Sequence, residues 1–424
     1  MPLGHQTTSG RFTLMVLLLG QIVSGFGSGL SIFAIQWYVW TRLQSGPALA
    51  LLWTLVAIPY VTFGPVAGVY VDRWNRRRTI MVADLVNGVL TFVVGLAAGI
   101  GHFSVAMVYA LIFLVTFIKT FHNPAIYASI PRMVPSEQLP RANSLLEFGL
   151  QAPRTIAPAV GAGLLALGWD VYSLLLLDAA TFFFASLTLA MVRFPREQEQ
   201  PASASKAPKK DNSFQEDMGA GMKYLRANRS LLSILLLTAV INLLGSGLNV
   251  LLPPLVTDVF QAGPELLGII QAAMSAGALT GSVLLIVWGA PRNRAGGFIA
   301  ALIFASTLQL ASGLVTAGWQ VAVLLGMAVM GWCVADTLTL TIFQEMVPND
   351  LQGRVLALRR SVEQFTWPIS LQLTGLVSPA LLRADHFLVV AGTLSLASVL
   401  LTAWAVHTRR RDRFVPGGEG SHER

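Results

Sequence analysis

Long apolar runs alternate with short polar gaps along the whole chain. Twelve of these runs contain the roughly 20 mostly apolar residues that a helix needs to cross a lipid bilayer. The runs cover residues 12–40, 47–71, 79–100, 104–124, 143–168, 171–193, 230–257, 265–289, 297–316, 319–343, 358–382 and 386–406. One longer polar stretch separates the sixth run from the seventh. The pattern predicts an all-α membrane protein with twelve transmembrane helices.

The composition supports this prediction. Of the 424 residues, 54% are hydrophobic and only 12% are charged, which is more apolar surface than a soluble core can hide. A single cysteine, Cys333, excludes internal disulfides and a cysteine metal cluster, and we expect no metal site. The net charge of +8 is spread over the gaps between apolar runs. Because no continuous basic face results, we expect a lipid bilayer rather than a nucleic acid as the partner.

The positions of lysine and arginine predict which side of the membrane the chain ends face. If both termini are cytoplasmic, the cytoplasmic segments hold 25 of the 29 lysine and arginine residues. Arg42 and Arg383 then lie on the other side, and Lys119 and Arg154 lie within spans. Cytoplasmic loops retain positive charge, so the distribution predicts a multi-pass protein of the cell (inner or cytoplasmic) membrane with both termini inside.

Three short patterns recur in the second half of the chain in the same order. Two recur at an offset of 213 residues and one at an offset of 218. They are Met133-Val-Pro with Arg141 and Met346-Val-Pro with Arg354, then Gly64-x-x-x-Gly68 and Gly277-x-x-x-Gly281, and finally Gly27-Ser-Gly-Leu30 and Gly245-Ser-Gly-Leu248. The repeat predicts two six-helix halves that face the same way, with the seventh helix as the mate of the first.

The polar stretch between the halves is predicted to be a linker. It is rich in Pro, Ala, Ser, Lys and Glu. Its second part predicts a surface helix, because Ser213 and Glu216 have capping-box spacing and an apolar stripe follows. The stripe consists of Phe214, Met218, Met222 and Leu225. The predicted units are a first half (1–193), a cytoplasmic linker (194–229), a second half (230–406) and a basic cytoplasmic tail (407–424).

The second apolar run ends in a carboxylate and four guanidiniums, in the order Gly64-Pro-Val-Ala-Gly68-Val-Tyr-Val-Asp72-Arg73-Trp-Asn-Arg76-Arg77-Arg78. This pattern resembles the signature between helices 2 and 3 of the major facilitator superfamily, whose halves are also parallel six-helix repeats. The chain departs from the signature at Asn75, where the family usually has glycine. Asparagine tolerates a left-handed turn, so we expect the geometry of the loop to survive.

Other short motifs narrow the resemblance. They are Asp72-Arg-Trp-Asn-Arg-Arg-Arg, Phe121-His-Asn-Pro-Ala125, Ala142-Asn-Ser-Leu145 and Leu351-Gln-Gly-Arg354. Together they resemble the macrolide-efflux (drug:proton antiporter) branch, which also includes siderophore exporters. The resemblance implies a monomeric secondary transporter that exports macrolide-like hydrophobic or amphipathic compounds and contributes to multidrug or macrolide resistance. It implies no cofactor, because a proton gradient supplies the driving force for alternating access.

The resemblance also implies that the charged run is a conformational gate. The gate residues would be Gly64, Gly68, Asp72, Arg73, Arg76 and Arg77. Asp72 can face the positive N-terminal end of a neighbouring helix, and the arginines can meet carboxylates and helix C-termini. In the family the partner across the halves is the start of helix 11, here residues 354–363. The arginines could instead only set topology, the interpretation we prefer for Arg78. Setting the topology of the chain requires no acidic residue, so this interpretation does not explain Asp72. The second half has Leu285 at the position that corresponds to Asp72, so we expect the gate in the first half only.

Ionisable residues within the spans are candidates for proton coupling, because each costs about 2.5–3.5 kcal/mol at the bilayer centre unless it is paired or wetted. The candidates are Asp336, Glu147, Asp178 and Asp84. We place Asp336 first, because the resembled fold lines its cavity with helices 1, 4, 7 and 10, and its alternative role is a polar contact near the inner end of helix 10. Asp84 is expected to pair with the cytoplasmic charge cluster, and Asp178 to form buried hydrogen bonds.

Two cations also lie within the spans. Lys119 could line the cavity from helix 4 or extend to the inner surface. Arg154 lies seven residues from Glu147, hence on one face of helix 5, and needs a partner near the middle of the membrane. The surrounding stretch Arg154-Thr-Ile-Ala-Pro158-Ala-Val-Gly161 partly resembles the helix-5 signature of proton-driven drug exporters. Pro158 and Gly161 fit that signature, but it has glycine at the positions of Pro153, Ala157 and Ala162. Glu147 is therefore the second candidate for proton coupling. A further acid, Glu363, is expected near the inner surface of the membrane.

The substrate cavity can be assigned only by helix. The candidate lining residues are Gln21, Phe26, Gln36, Trp37, His122, Asn242, Asn249 and Trp332. Aromatic area with few polar groups suits a bulky amphipathic ligand better than a sugar, although core packing explains any single aromatic residue equally.

The chain lacks the phosphate-binding GxxxxGK[ST] signature of ATPases, the HExxH signature of zinc proteases and the GxSxG signature of serine hydrolases. We therefore predict a secondary carrier and not an enzyme. Two alternatives remain open. One is an exporter dedicated to an endogenous metabolite such as a siderophore, and the other is a non-transporting membrane sensor or assembly partner.

Overall fold

The computed structural model describes residues 4–135, 138–192, 214–377 and 381–412, which form helices and contain no strand. The helices are α1 (Gly4–Leu43), α2 (Gly46–Arg73), α3 (Arg76–Gly99), α4 (Val105–Ser129), α5 (Leu139–Ala166), α6 (Val171–Met191), α7 (Phe214–Ala227), α8 (Arg229–Gly245), α9 (Leu248–Pro254), α10 (Pro264–Trp288), α11 (Arg294–Ser312), α12 (Gly318–Met346), α13 (Asn349–Val377) and α14 (Ala384–Asp412). The predicted all-α membrane fold is confirmed.

Ten helical stretches within the described ranges are long and apolar enough to cross a membrane. In this count α8, α9 and the turn after them form one stretch, which corresponds to the seventh predicted span. The remaining two predicted spans correspond to α5 and α13, which have 28 and 29 residues but a more polar composition. Length and composition therefore both support ten of the twelve predicted spans. The other two, α5 and α13, are supported by their length alone.

Several helices extend beyond the apolar runs that predict them. Helix α4 continues to Ser129, and α13 begins at Asn349 rather than at residue 358. A helix does not stop where hydrophobicity ends, because its backbone hydrogen bonds are made internally on either side of the boundary. The seventh span is broken instead of continuous. Ser246 and Gly247 separate α8 from α9, and a wide π turn at Leu255–Val259 follows two prolines that cannot donate a backbone hydrogen bond.

The same helix pairs pack in both halves. In the first half α2 packs on α4 and α3 on α6, and in the second half α10 packs on α12 and α11 on α14. The glycines of the repeated Gly-x-x-x-Gly pattern nevertheless differ in their surroundings. A Cβ atom at Gly277 would clash with the carbonyl oxygen of Gly326, whereas one at Gly64 would meet no atom within 4 Å. The backbones of α10 and α12 are therefore in direct contact, and α2 is loosely packed at the corresponding point.

The two halves contact each other near one end of the bundle. We call the end at which α1 turns into α2 the far end, and the end at which α2 turns into α3 the terminal end. Helix α2 packs on α13, α5 packs on α10, and α1 contacts α9. The side-chain contacts described below place these interfaces toward the far end.

Helix α7 lies on the second half. The Tyr224 hydroxyl donates to the carbonyl oxygen of Met346 at 2.8 Å, and Gly221 lies against Leu358 of α13. Leu225 is fully buried, as an apolar stripe on this helix predicts. The side chains of Phe214 and Met218, the linker residues 194–213 and the tail residues 413–424 lie outside the described part, and the division of the chain into domains stays a prediction.

Candidate functional site

The charged turn between α2 and α3 is tied to its own half. Arg76 donates to the carbonyl oxygen of Ala128, in the last turn of α4. Arg77 donates to the carbonyl oxygens of Leu189 and Ala190, in the last turn of α6, at 3.0 and 2.9 Å. The last carbonyls of a helix have no partner within it and carry partial negative charge, so guanidiniums are suitable partners. Both arginines thus connect the start of α3 to neighbouring helix ends.

Three other gate candidates, Gly68, Asp72 and Arg73, lie at the end of α2. Arg73 is exposed, and the side chain of Asp72 and the surroundings of Gly68 lie outside what the structure describes. The bonds of Arg77 remain within the first half and do not reach residues 354–363. The gating role of these residues stays a prediction.

Asn75 does not use the left-handed conformation that asparagine tolerates. Its φ of −71° is in the extended region, and its side chain accepts a hydrogen bond from the backbone N–H of Arg78 at 3.1 Å, which caps α3. Asn293 caps α11 in the same way by accepting from Gly296 at 2.9 Å. An asparagine that begins a helix needs no positive φ, so the family glycine is replaced here by a capping residue.

Two adjoining cavities lie in the middle of the bundle. The larger has a volume of about 610 Å³ and is lined mainly by the first half, and the smaller has a volume of about 490 Å³ and is lined by the second. Asn249, Met274 and Trp367 line both, so together the cavities form one central space between the halves. The polar and charged residues of the larger cavity are Gln21, Ser24, Ser28, Ser31, Gln36, Tyr60, Thr91, Thr116, Lys119, His122, Asn123, Arg154, Asp178, Asn249, Gln271 and Ser275.

Asp84 is part of a buried polar cluster that joins three helices. Its carboxylate lies 3.0 Å from Nε2 of His122 on α4 and accepts a hydrogen bond from Nε2 of Gln21 on α1 at 3.2 Å. All three side chains are buried. The expected pairing of Asp84 with the cytoplasmic charge cluster is therefore wrong. Asp84 lies eight residues into α3, or about two turns, and faces the helix bundle rather than the loop.

Lys119 and Asp178 are connected through a serine of α1. The Lys119 ammonium donates to Oγ of Ser28 at 3.1 Å, and this hydroxyl donates to the Asp178 carboxylate at 3.3 Å. The ammonium also lies 5.4 Å from the ring centre of Phe182. Lys119 thus points into the bundle and does not extend to the membrane surface. Asp178 forms the buried hydrogen bonds expected for it and also lines the cavity.

Glu147 and Arg154, on one face of α5, do not bind each other. The hydroxyl of Tyr127 donates to Glu147 at 2.9 Å. Arg154 faces the larger cavity, and its guanidinium donates a long hydrogen bond of 3.4 Å to the side chain of Gln151. Among the residues that the structure describes, no carboxylate supplies the partner that the sequence leads us to expect for Arg154.

A charge cluster in the second half contains a residue that the sequence analysis missed. Arg359 of α13 is buried, pairs with Asp336 of α12 and lies 2.8 Å from a carboxylate oxygen of Glu363. Both acids line the smaller cavity. The count of cytoplasmic cations includes Arg359, because it stands at the beginning of the apolar run 358–382. The i, i+4 spacing of Arg359 and Glu363 is the signal that could have identified it.

Most of the predicted cavity residues line the central space. Gln21, Gln36 and His122 line the larger cavity, Asn242 and Trp332 the smaller, and Asn249 both. Phe26 and Trp37 are not in the lining of either cavity, and Trp37 packs into an apolar cluster with residues of α9. Their contribution to substrate binding stays a prediction.

Hydrogen bonds and close backbone contacts join the halves near the far end. Gln36 donates to the carbonyl oxygen of Asn249 at 2.6 Å and accepts from Gln271 at 2.9 Å. Gln372 donates to the hydroxyl of Thr54 at 2.7 Å, and Trp40 donates to Thr257 at 2.9 Å. Gly375 of α13 packs against Gly46 and Ala50 of α2, and Gly268 of α10 packs against Pro158 and Ala162 of α5. We call this set of contacts the far-end seal.

We expect Gly375→Val to weaken the far-end seal. An added Cβ atom would clash with the Ala50 side chain and lie 2.8 Å from the carbonyl oxygen of Gly46, so α2 and α13 must separate. Spin labels on exposed far-end positions of the two halves should report a longer distance in this variant. Gly353→Val is the matched control, because a Cβ atom there meets no atom within 4 Å. Unchanged distances in Gly375→Val would show that this contact does not hold the halves together.

Known proteins resemble this chain in sequence and in fold. The Major Facilitator Superfamily profile matches residues 17–371. Macrolide efflux protein A of Streptococcus pyogenes is 28% identical over 396 residues, covering 93% of this chain and 96% of that protein. Enterobactin exporter EntS of Shigella boydii serotype 18 is 27% identical over 294 residues, covering 68% of this chain and 67% of that protein.

A solved structure of a bacterial homologue of the human lysosomal transporter Spinster, inward-facing and unoccupied, has a TM-score of 0.69 to this chain. Its sequence identity is 17%, and the match covers 96% of this chain and 99% of that one. At this identity the likeness concerns the fold alone. The sequence profile and the fold comparison both span most of the chain.

Proposed function

The chain belongs to the Major Facilitator Superfamily, and from this membership we propose that it exports hydrophobic or amphipathic small molecules by alternating access, driven by the proton gradient. The chain is thus a multi-pass membrane transporter and not an enzyme. We place it in the cell membrane with both termini in the cytoplasm, in agreement with the distribution of lysine and arginine, and we propose from the family resemblance that it is a monomer.

The central space between the halves is the observation that carries the proposal. Its two cavities, of about 610 and 490 Å³, are in the size range of sites for drug-sized ligands. Trp332 and Trp367 offer aromatic area, and amide and hydroxyl groups supply a limited number of polar partners. A carrier in which the far-end seal is formed must open it to release substrate there, which requires contacts that break and reform.

Everted membrane vesicles test the proposal directly. Vesicles that contain the protein should accumulate a macrolide or an amphipathic dye when the lumen is made acidic, because protons that leave the lumen then drive substrate into it. The same vesicles with an inactive variant provide the baseline. Accumulation that survives collapse of the gradient by a protonophore would rule out proton coupling. If no member of a broad compound panel moves although the protein is folded, the non-transporting sensor or assembly partner becomes the better interpretation.

Export of a dedicated metabolite is the second candidate. Its support is the relative named as an enterobactin exporter, which is 27% identical to this chain. Vesicles separate the two candidates, because a dedicated exporter should move one siderophore-like compound and reject structurally unrelated drugs and dyes. Movement of many unrelated amphipathic compounds would favour the first candidate.

We expect Asp72→Asn to impair transport while membrane insertion and ligand binding remain. A gate acid contributes to switching between states and not to the cavity, so vesicle accumulation should decrease several-fold and the melting temperature in detergent should change little. Arg78→Gln is the matched control in the same turn, because we assign Arg78 only to topology. An equal loss of folded protein and of transport in Asp72→Asn would contradict a gating role.

A further inference from the structure

Most charges around the central space are compensated within their own half. Lys119 is linked to Asp178 through Ser28, and His122 contacts Asp84. In the second half, Arg359 pairs with both Asp336 and Glu363. Most of these links join side chains of different helices of one half. The link from Arg359 to Glu363 joins adjacent turns of α13. The charges of these groups are therefore not freely available to a ligand.

Arg154 is the exception on the wall of the larger cavity. Within the described residues, its guanidinium has no carboxylate oxygen within 4.0 Å, and its one hydrogen bond, to Gln151, is long at 3.4 Å. Glu147, the next acid on the same face of α5, is about two turns away and accepts from Tyr127. A permanently charged guanidinium in a span therefore faces the cavity, and none of the described carboxylates is its counter-ion.

The surroundings of Arg154 favour an anionic partner. Arg154 lies near enough to Lys119 for the two cations to repel each other, and near enough to Tyr60 to interact with it electrostatically. Tyr60, Asn123 and Lys119 line the same cavity and carry hydrogen-bond donors. A carboxylate placed there would relieve the repulsion and could receive bidentate hydrogen bonds from the guanidinium.

We propose that Arg154 binds the carboxylate of an amphipathic substrate in the larger cavity, while the apolar body of the substrate lies toward Trp332 and Trp367. The proposal rests on the transport function proposed above and adds the substrate class to it.

Binding to the purified protein tests this assignment without a membrane gradient. The probes are rhodamine 110, which has a free carboxylate, and its methyl ester rhodamine 123, measured by fluorescence polarisation. We expect the carboxylate to bind about tenfold more tightly, as for one charge-assisted hydrogen-bonded pair. In Arg154→Gln the two dyes should bind equally, whereas Arg154→Lys should keep part of the preference and Arg78→Gln all of it.

Two outcomes would overturn the proposal. They are equal binding of the two dyes by the wild-type protein, and a preference that persists in Arg154→Gln. If Arg154→Gln does not fold, competition on the wild-type protein replaces it: decanoate should displace rhodamine 110 and decanol should not, and displacement by both alike contradicts the assignment. Binding is independent of export, so a carboxylate preference without accumulation in vesicles would refute the proposed function and leave the site assigned.

Discussion

Arg359→Gln should lower the free energy of unfolding by about 1.5–3 kcal/mol, the range for a hydrogen bond to a charged group, because Asp336 is 66% exposed and the ion pair is only partly buried. Arg359 is 5% exposed and is the shared partner of Asp336 and Glu363. Without the guanidinium, two carboxylates remain near each other inside the bundle with no cation between them. Unfolding of the purified protein in mixed micelles with increasing dodecyl sulfate gives the free energy.

The neighbouring arginine provides the control for this measurement. Arg360 is exposed on the same helix, so Arg360→Gln should change stability only slightly. A double variant, Arg359→Gln with Asp336→Asn, should recover part of the loss because it removes one unpaired carboxylate. If Arg359→Gln is as stable as the wild type, the cluster is not a structural centre of the second half.

Asp336→Asn should reduce proton-driven accumulation to the level of vesicles without a gradient. We propose that Asp336 is the coupling acid because it lines the cavity, its side chain is 66% exposed there, and its partner Arg359 is held independently by Glu363. An acid that exchanges a proton for an ion pair can alternate between two states, and asparagine cannot. The amide oxygen can still accept from Arg359, so the fold should persist.

Counterflow separates coupling from binding. Exchange of labelled for unlabelled substrate needs no net proton movement, so Asp336→Asn should retain it. Glu363→Gln is the matched substitution on the other carboxylate of Arg359, and we expect it to keep accumulation above that of Asp336→Asn. Should Asp336→Asn accumulate substrate normally, with unchanged dependence on pH, the coupling acid must be sought elsewhere, with Glu147 as the next candidate.

The fold is largely predictable from the sequence because the bilayer imposes a simple length and hydrophobicity requirement on each span. This requirement does not determine where a helix ends. Helix α13, for example, begins at Asn349, nine residues before its apolar run begins at residue 358. The requirement also fails for charged residues near a run's end. Arg359 is counted with the cytoplasmic cations because it is the second residue of the run 358–382, although the helix carries it to a buried position beside Asp336.

The partners of buried charges are less predictable, because they depend on which faces of two distant helices meet. The sequence indicates that Asp84 needs a partner, but not that α4 presents His122 to it. Trp37 and Phe26 have the composition of cavity residues, and only their azimuth on α1 keeps them out of the cavity lining. Residue type therefore predicts that a site exists, and helix rotation decides which residues form it.

The attachment of α7 determines how the polypeptide could be divided. Since Leu225 is buried and Tyr224 is bonded to Met346, this helix belongs mechanically to the second half although it precedes the first span of that half. A gene split before Phe214 would give two coexpressed polypeptides, each of which retains the helix contacts of its own half. Among the described residues, such fragments would complement each other through the far-end seal, so that its strength would set the affinity of one fragment for the other.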